Sequence, residues 1–286
     1  MSGSYVEELV YTHAEDGLLL EGAVIRPGTE SRQPLPIVWI HGLTGKFYSP
    51  SVVKIGRGLA ERGYTFVTGN NRGHDFGAVC RTSDGQRMIQ GGGWERFDES
   101  PRDVAAWVSF AVGLGFGDVA LLGHSLGALK VCYYQAERQD PRVAGLIAAS
   151  PPLRAGNLNA EILAKARQLV EEGRGMDLLP WESFPAGAGT HSAQTYVNRD
   201  QVNIDVYGWQ KSDPEVSEVR CPLLAFFGTE EAWVGSAAEL EIIRKNATRA
   251  ARVTTHLFEG ADHSYTGHEA EVAATVGEWV AGLSVH

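Results

Sequence analysis

The five residues Gly123-His124-Ser125-Leu126-Gly127 constrain this chain more than any others. They follow the apolar run Val119-Ala120-Leu121-Leu122 and precede a helical stretch from Ala128 to Gln139. Strand, sharp turn and helix in that order, with serine at the tip, form the setting of a nucleophile elbow. There the serine is held in a strained conformation and its hydroxyl stands clear of the backbone. The glycines suit a turn in which strand and helix pack too closely to leave room for side chains. The pattern alone is weak, but chemistry built on such a turn needs four more features elsewhere, each at a place that can be named in advance.

The surrounding elements alternate. Val6 to His13 and Leu18 to Arg26 read as strands joined at Glu15-Asp16-Gly17, a hairpin turn signal. Ile37 to Ile40 and Gly63 to Thr68 read as short strands, with a helix from Val52 to Arg62 between them that ends at Gly63. Apolar residues at helical spacing (Val104, Trp107, Val108, Ala111) mark a helix over Asp98 to Val112, with Pro101 in its first turn. After the elbow come a strand at Val143 to Ala149, strands at Leu223 to Phe227 and Val253 to Phe258, and helices at Ser236 to Asn246 and Ala270 to Leu283. This order implies a mostly parallel sheet covered by helices on both faces. The interruption is residues 153–211, with one helix (Asn159 to Glu172) and then irregular sequence rich in Gly, Trp, Tyr and Asn. A structureless insertion of that length is unexpected inside a compact domain, so the segment reads as a helical cap inserted into a core of residues 1–152 and 212–286.

Composition narrows the partners. A formal charge of −10 with no basic run argues against nucleic acid or an anionic membrane surface. Met1 to Val10 has no positive n-region or apolar core, and no stretch approaches the roughly 18 apolar residues of a membrane span. Cys80, Cys132 and Cys221 are too few and too scattered for a disulfide framework or a zinc site; Cys80 has no identifiable activator. A reduced, cytoplasmic protein is the expectation. No metal or cofactor is called for, and no dinucleotide fingerprint is present. The expected partner is a small-molecule ester or acyl compound, with a homodimer left open.

The four features can be located. A second backbone donor for an oxyanion belongs on the loop after the third strand, where His41-Gly42-Leu43-Thr44-Gly45 stands. Leu126 N–H supplies one donor and Leu43 N–H the natural second. A base belongs late in the chain. Of nine histidines His263, in Gly260-Ala261-Asp262-His263-Ser264 after the last strand, alone sits where a loop would bring an imidazole onto Ser125. An acid belongs after the strand Leu223 to Phe227, where Glu230 and Glu231 are adjacent candidates. The strand before the insertion ends Ser150-Pro151-Pro152, without a carboxylate. Last, Asn70-Asn71-Arg72-Gly73-His74 follows the fourth strand, where a loop supports the oxyanion loop; Arg72 reads as a fork of donors tying loops together.

Over nearly its whole length the chain is identified as a member of the α/β-hydrolase superfamily. The strings Thr68 to Asp75, Gly92-Gly93-Trp94-Glu95, Gly123 to Lys130, Phe227 to Gly235 and Gly260 to Glu269 resemble a branch of serine hydrolases close to the fungal siderophore esterases. The resemblance implies the α/β-hydrolase fold, cleavage of ester bonds, and a triad of Ser125, Glu231 and His263, since the acid in that pattern stands three residues after the glycine of Gly228. Two residue-level arguments also favour Glu231. Adjacent residues of an extended stretch face opposite ways, and the apolar Ala232-Trp233-Val234 would draw Glu231 inward.

The reading is therefore a serine hydrolase of carboxylic esters, or related lactones or thioesters, working through an acyl-enzyme. Amide or C–C hydrolysis, or acyl transfer from a carrier, could use the same machinery, and a silent binding protein on the same fold is a different class. The cap aromatics Trp181, Phe184, Tyr196, Tyr207 and Trp209 suggest an apolar or aromatic substrate group. Trp181, Tyr207 and Trp209, with His124 beside the serine, are the candidate substrate contacts.

Overall fold

The computed structural model describes residues 5–28, 33–180, 183, 189–231 and 235–284. The chain opens with β1 (Tyr5–His13) and β2 (Leu19–Pro27), antiparallel and in unbroken register, with Gly17 in the left-handed region at φ +82° in the turn between them. β3 (Ile37–Ile40) and β4 (Phe66–Gly69) are buried at every residue, so both must lie inside a sheet covered on its two faces. Between them α1 (Pro50–Glu61) starts at a proline, whose missing N–H costs a first turn nothing. A small hairpin follows, β5 (Ala78–Arg81) and β6 (Arg87–Gln90), then α2 (Ser100–Gly113), β7 (Val119–His124) and α3 (Leu126–Arg138). β8 (Val143–Ala149) precedes α4 (Ala160–Glu171) and α5 (Ala193–Val202). The chain closes with β9 (Leu223–Gly228), α6 (Ala237–Asn246), β10 (Val253–Phe258) and α7 (Glu269–Ala281).

Eight strands form one sheet in the order β1-β2-β4-β3-β7-β8-β9-β10, parallel from β4 to β10. Successive strand residues point to opposite faces, which divides the core in two. Val38, Ile40 and Leu121 join Val104, Trp107 and Leu129 of α2 and α3 on one face. Trp39, Ala120 and Leu122 join Ile55, Leu59, Val276 and Trp279 of α1 and α7 on the other. From β3 the chain moves to β4 on one side and then returns to β7 on the other. The loops leaving β3 and β7 therefore diverge, and a crevice opens at the carboxyl ends of these two strands.

The structure departs from the sequence reading in three places. The β5–β6 hairpin was not expected, because its residues are largely exposed and show no apolar alternation; only Asp84-Gly85 marks its turn. Gly91-Gly92-Gly93, a run whose composition suggests a flexible turn, is bonded throughout: the three N–H groups donate to the carbonyls of Arg72, Asp75 and Phe76. The segment between β8 and β9 has a second helix, α5, where irregular structure was expected; Ser192 caps it by accepting from Thr195 N–H. α4 and α5 share a small apolar cluster of their own (Ala166, Leu169, Leu179, Ala193, Tyr196, Val197), whereas Leu153, Ile204, Val206 and Tyr207 of the same segment join the main core.

Arg72 ties the loop after β4 to two other elements. Its guanidinium, 1% exposed, donates to Asp103 of α2, to Glu99 at 2.6 Å and to Asp16 of the first turn at 3.1 Å. The three carboxylates outweigh burial and hold its pKa above the ordinary arginine value. Arg72→Met strands Asp103, whose side chain is wholly buried. We expect it to lower the unfolding free energy by about 3–5 kcal/mol, read from denaturant midpoints at constant m-value.

Candidate active site

The turn at Ser125 joins β7 directly to α3. Ser125 has φ +56°, and its N–H donates to Ala149 O at 2.8 Å, which holds this strained residue against β8. A Cβ on Gly123 would lie 2.2 Å from Gly127 O, and one on Gly127 2.2 Å from Ile40 O, so no larger residue fits either place. The side chains expected to act together converge here. Ser125 Oγ lies 3.0 Å from His263 Nε2, and His263 Nδ1–H donates to Glu231 Oε2 at 2.6 Å.

The acid is held from behind. Glu231 Oε1 accepts from Gly228 N–H at 2.7 Å and Ser150 Oγ–H at 2.6 Å, its carboxylate is fully shielded, and Ser150 is bonded in turn to Tyr265 OH. Glu230 is exposed, with its N–H bonded to Ala261 O. The residues 232–234 invoked for drawing Glu231 inward lie outside the described residues. Ser150 and Tyr265 were missed by sequence reasoning. Both have left-handed backbones, φ +48° and +58°, and neither residue type signals that conformation. The end of β8 supplies no carboxylate but a serine that binds one.

Two backbone donors lie beside Ser125. Gly42 lies so close that a Cβ there would sit 2.7 Å from Ser125 Cβ, which brings the Gly42–Leu43 peptide against the serine. Leu126 opens α3, where the first N–H groups have no intrahelical acceptor. Among the described residues neither the Leu43 nor the Leu126 N–H donates a hydrogen bond within the protein. An oxyanion formed beside Ser125 Oγ would find both. Burial pushes the pKa of His41 down to about 3, so the ring is neutral. Its Nε2 accepts from Asn71 N–H and its Nδ1–H donates to Gly42 O.

A cavity of about 370 Å³ opens at Ser125 and His263. Its walls are Leu43 and Thr44, the first turn of α1, and Ser264-Tyr265, with Trp39, Val52 and Ile55 as apolar floor. His124 lines it too, stacked on Trp39 at 5.7 Å with Nε2–H donating to His263 O at 2.7 Å. Burial brings His124 down to about 3. It is thus a neutral donor to the His263 carbonyl that also lines the cavity.

The proposed cap contacts are corrected. Tyr207 is wholly buried with its hydroxyl bonded to Ala128 O, and Trp209 packs on the core beneath the Arg154 guanidinium at 4.4 Å. Neither lines the cavity; both anchor the segment after α5 to the main core. Trp181 and Phe184 lie outside the described residues. Among those described, no group of three His, Cys, Asp or Glu side chains could hold a metal ion, and no helix is long and apolar enough to cross a membrane. Burial raises the Cys132 thiol well above its ordinary value and Cys221 to about 12. Cys80, read as having no identifiable activator, lies 3.5 Å from His74 Nε2, and burial raises its thiol as well. Trp209→Ala should lower Tm while leaving the ratio of kcat/KM between short and long acyl esters within about twofold, because a residue lining the pocket would change that ratio by roughly 10- to 200-fold.

Residues 37–275 match the model of the alpha/beta hydrolase family. A non-heme haloperoxidase of Rhodococcus erythropolis is 28% identical over 162 residues, 56% of this chain and 49% of that protein, so the chain spans about half the length of this relative. Two solved structures share the fold across almost the full length. Est1E of Butyrivibrio proteoclasticus, solved with ferulic acid, is 20% identical with TM-score 0.66 over 95% of this chain and 97% of that one. A soluble variant of the monoglyceride lipase of Saccharomyces cerevisiae is 17% identical with TM-score 0.65 over 98% and 96%. By its sequence match and by this sheet, the chain belongs to the alpha/beta hydrolase family.

Proposed function

We propose that this chain hydrolyses a carboxylic ester through an acyl-enzyme on Ser125. The observation that carries the proposal is the continuous hydrogen-bonded line from Ser125 Oγ through His263 to Glu231, set in a cavity beside the Leu43 and Leu126 N–H groups, which donate to nothing among the described residues. His263 Nε2 takes the serine proton as Oγ attacks the ester carbonyl carbon. The carbonyl oxygen, now an anion, is held by Leu43 and Leu126 N–H. His263 then passes the proton to the leaving alcohol, the acyl group stays on Ser125, and water attacks by the same route to release the acid. Glu231 holds the His263 tautomer and stabilises the imidazolium without itself taking the proton. Glutamate in place of aspartate is accommodated because Gly228 N–H and Ser150 clamp its far oxygen.

The segment 153–211 acts in this reading as a cap over the core, and it shapes the site indirectly. Selectivity follows instead from Leu43, Trp39, Val52 and Ile55, which favour a compact, largely apolar ester group. Ser125→Ala should cut hydrolysis of a p-nitrophenyl ester by roughly 10⁴- to 10⁶-fold and abolish labelling by a fluorophosphonate. A variant within tenfold of the parent overturns the reading. Glu231→Gln should lower kcat by roughly 10³- to 10⁴-fold while Glu230→Gln stays within a few-fold. The reverse ranking moves the acid to Glu230.

A further inference from the structure

Behind the oxyanion loop runs a buried polar chain that the chemistry above does not use. It starts at Glu95 and Lys130, an ion pair at 2.7 Å with both side chains 1% exposed. Gly73 makes room for this pair, since a Cβ there would lie 1.5 Å from Glu95 Oε2. Lys130, one turn into α3 from Ser125, also donates to Asn71 Oδ1 at 2.9 Å. Asn71 grips His41 twice, Nδ2–H to the backbone carbonyl at 3.0 Å and backbone N–H to ring Nε2 at 3.0 Å. With Nε2 thus an acceptor, the neutral ring carries its proton on Nδ1 and donates it to Gly42 O at 2.7 Å.

That last bond falls on a particular peptide. Gly42 C=O and Leu43 N–H belong to one rigid planar unit and point in opposite directions. A donor that holds the carbonyl therefore aims the N–H, and polarises it into a stronger donor. We propose that Lys130 and Asn71 are positioning residues that, through His41, aim the Leu43 N–H at the oxyanion formed on Ser125. The proposal rests on the role given above to Leu43. A cluster serving stability alone would gain as much from apolar side chains, because burying two charges costs about what their attraction returns. Here Lys130 donates on one side to Glu95 and on the other to Asn71, and from Asn71 the bonds lead through His41 to Gly42. The far end is clamped by α5 and its cap: Ser192 N–H donates to Gly93 O at 2.6 Å, and Asn198 Oδ1 accepts from Phe97 N–H at 2.7 Å. Glu95, between those anchors, is thereby fixed from the segment 153–211.

Asn71→Ala removes the side-chain link between Lys130 and His41, keeping the backbone N–H of residue 71 on His41 Nε2 and the Glu95–Lys130 pair. Its kcat on a p-nitrophenyl ester should fall about 10- to 100-fold with KM nearly unchanged, as for a displaced oxyanion donor. Affinity for an alkyl boronic acid, which becomes tetrahedral on serine, should fall in step. Lys130→Met strands Glu95 and can fail to fold; the Glu95→Gln/Lys130→Met double variant removes both charges and should show the same kcat loss. Adding Asn71→Ala to that double variant should cost little more, since the residues act in series. A lowered Tm with kcat within twofold, or losses that multiply, overturns the proposal. Ser125→Ala is run beside these variants. If it is inactive while Asn71→Ala is normal, the relay alone fails; if Ser125→Ala keeps its activity, the hydrolase reading and the relay fail together.

Discussion

The molecule depends on one strained residue. Ser125, at φ +56°, is the only residue between β7 and α3, and its N–H is anchored on Ala149 O. Everything in the crevice is arranged around that turn. Gly42 must be small because Ser125 is beside it, and α3 begins at once, so the Leu126 N–H is left without an internal acceptor. Three neighbours share the left-handed conformation: Thr44 after β3, Ser150 after β8 and Tyr265 after β10. A backbone of that kind costs of order 1–3 kcal/mol per residue and persists only where its surroundings over-determine it. Around Ser150 the surroundings are visible as its bonds to Glu231 and Tyr265.

Two buried charge clusters flank the turn, and their geometry separates their roles. Arg72 is surrounded by carboxylates from α2, its preceding turn and the first hairpin, so it ties three elements at a distance from Ser125. Lys130 is bonded on one side to Glu95 and on the other to Asn71, and that line leads to the oxyanion loop. The first holds the loop after β4 to the body of the fold. The second runs from Glu95 through Lys130, Asn71 and His41 to the Gly42 carbonyl.

The strands of the main sheet, their succession along the chain and the covering of both faces were readable because fully apolar runs alternate with helical patterns. Boundaries shifted where backbone bonds overrule propensity: β4 runs from Phe66 to Gly69, and α3 starts at Leu126 because the elbow leaves no linker. The positions of Ser125 and His263 could be read from strand ends, since the fold delivers both to one edge of the sheet. Glu231 could be separated from Glu230 only by resemblance and by strand alternation; its clamp on Gly228 N–H and Ser150 comes from tertiary contact. The aromatics of the inserted segment misled because aromatic content looks the same whether a ring meets a ligand or packs on a helix. Tyr207 and Trp209 do the latter.

The sequence by itself determined the architecture, the serine turn and the loops from which its partners come, because these are local patterns of size, polarity and period. Only the tertiary structure decided which groups meet. Asn71 to His41, Lys130 to Glu95, Ser150 to Glu231 and His124 to the His263 carbonyl are all contacts between distant parts of the chain. So is the placement of the cavity against Trp39, Val52 and Ile55. A hydrogen bond depends on tenths of an ångström and on direction. No local pattern encodes these across a fold; they follow only when the sheet has closed and each strand end is held in place.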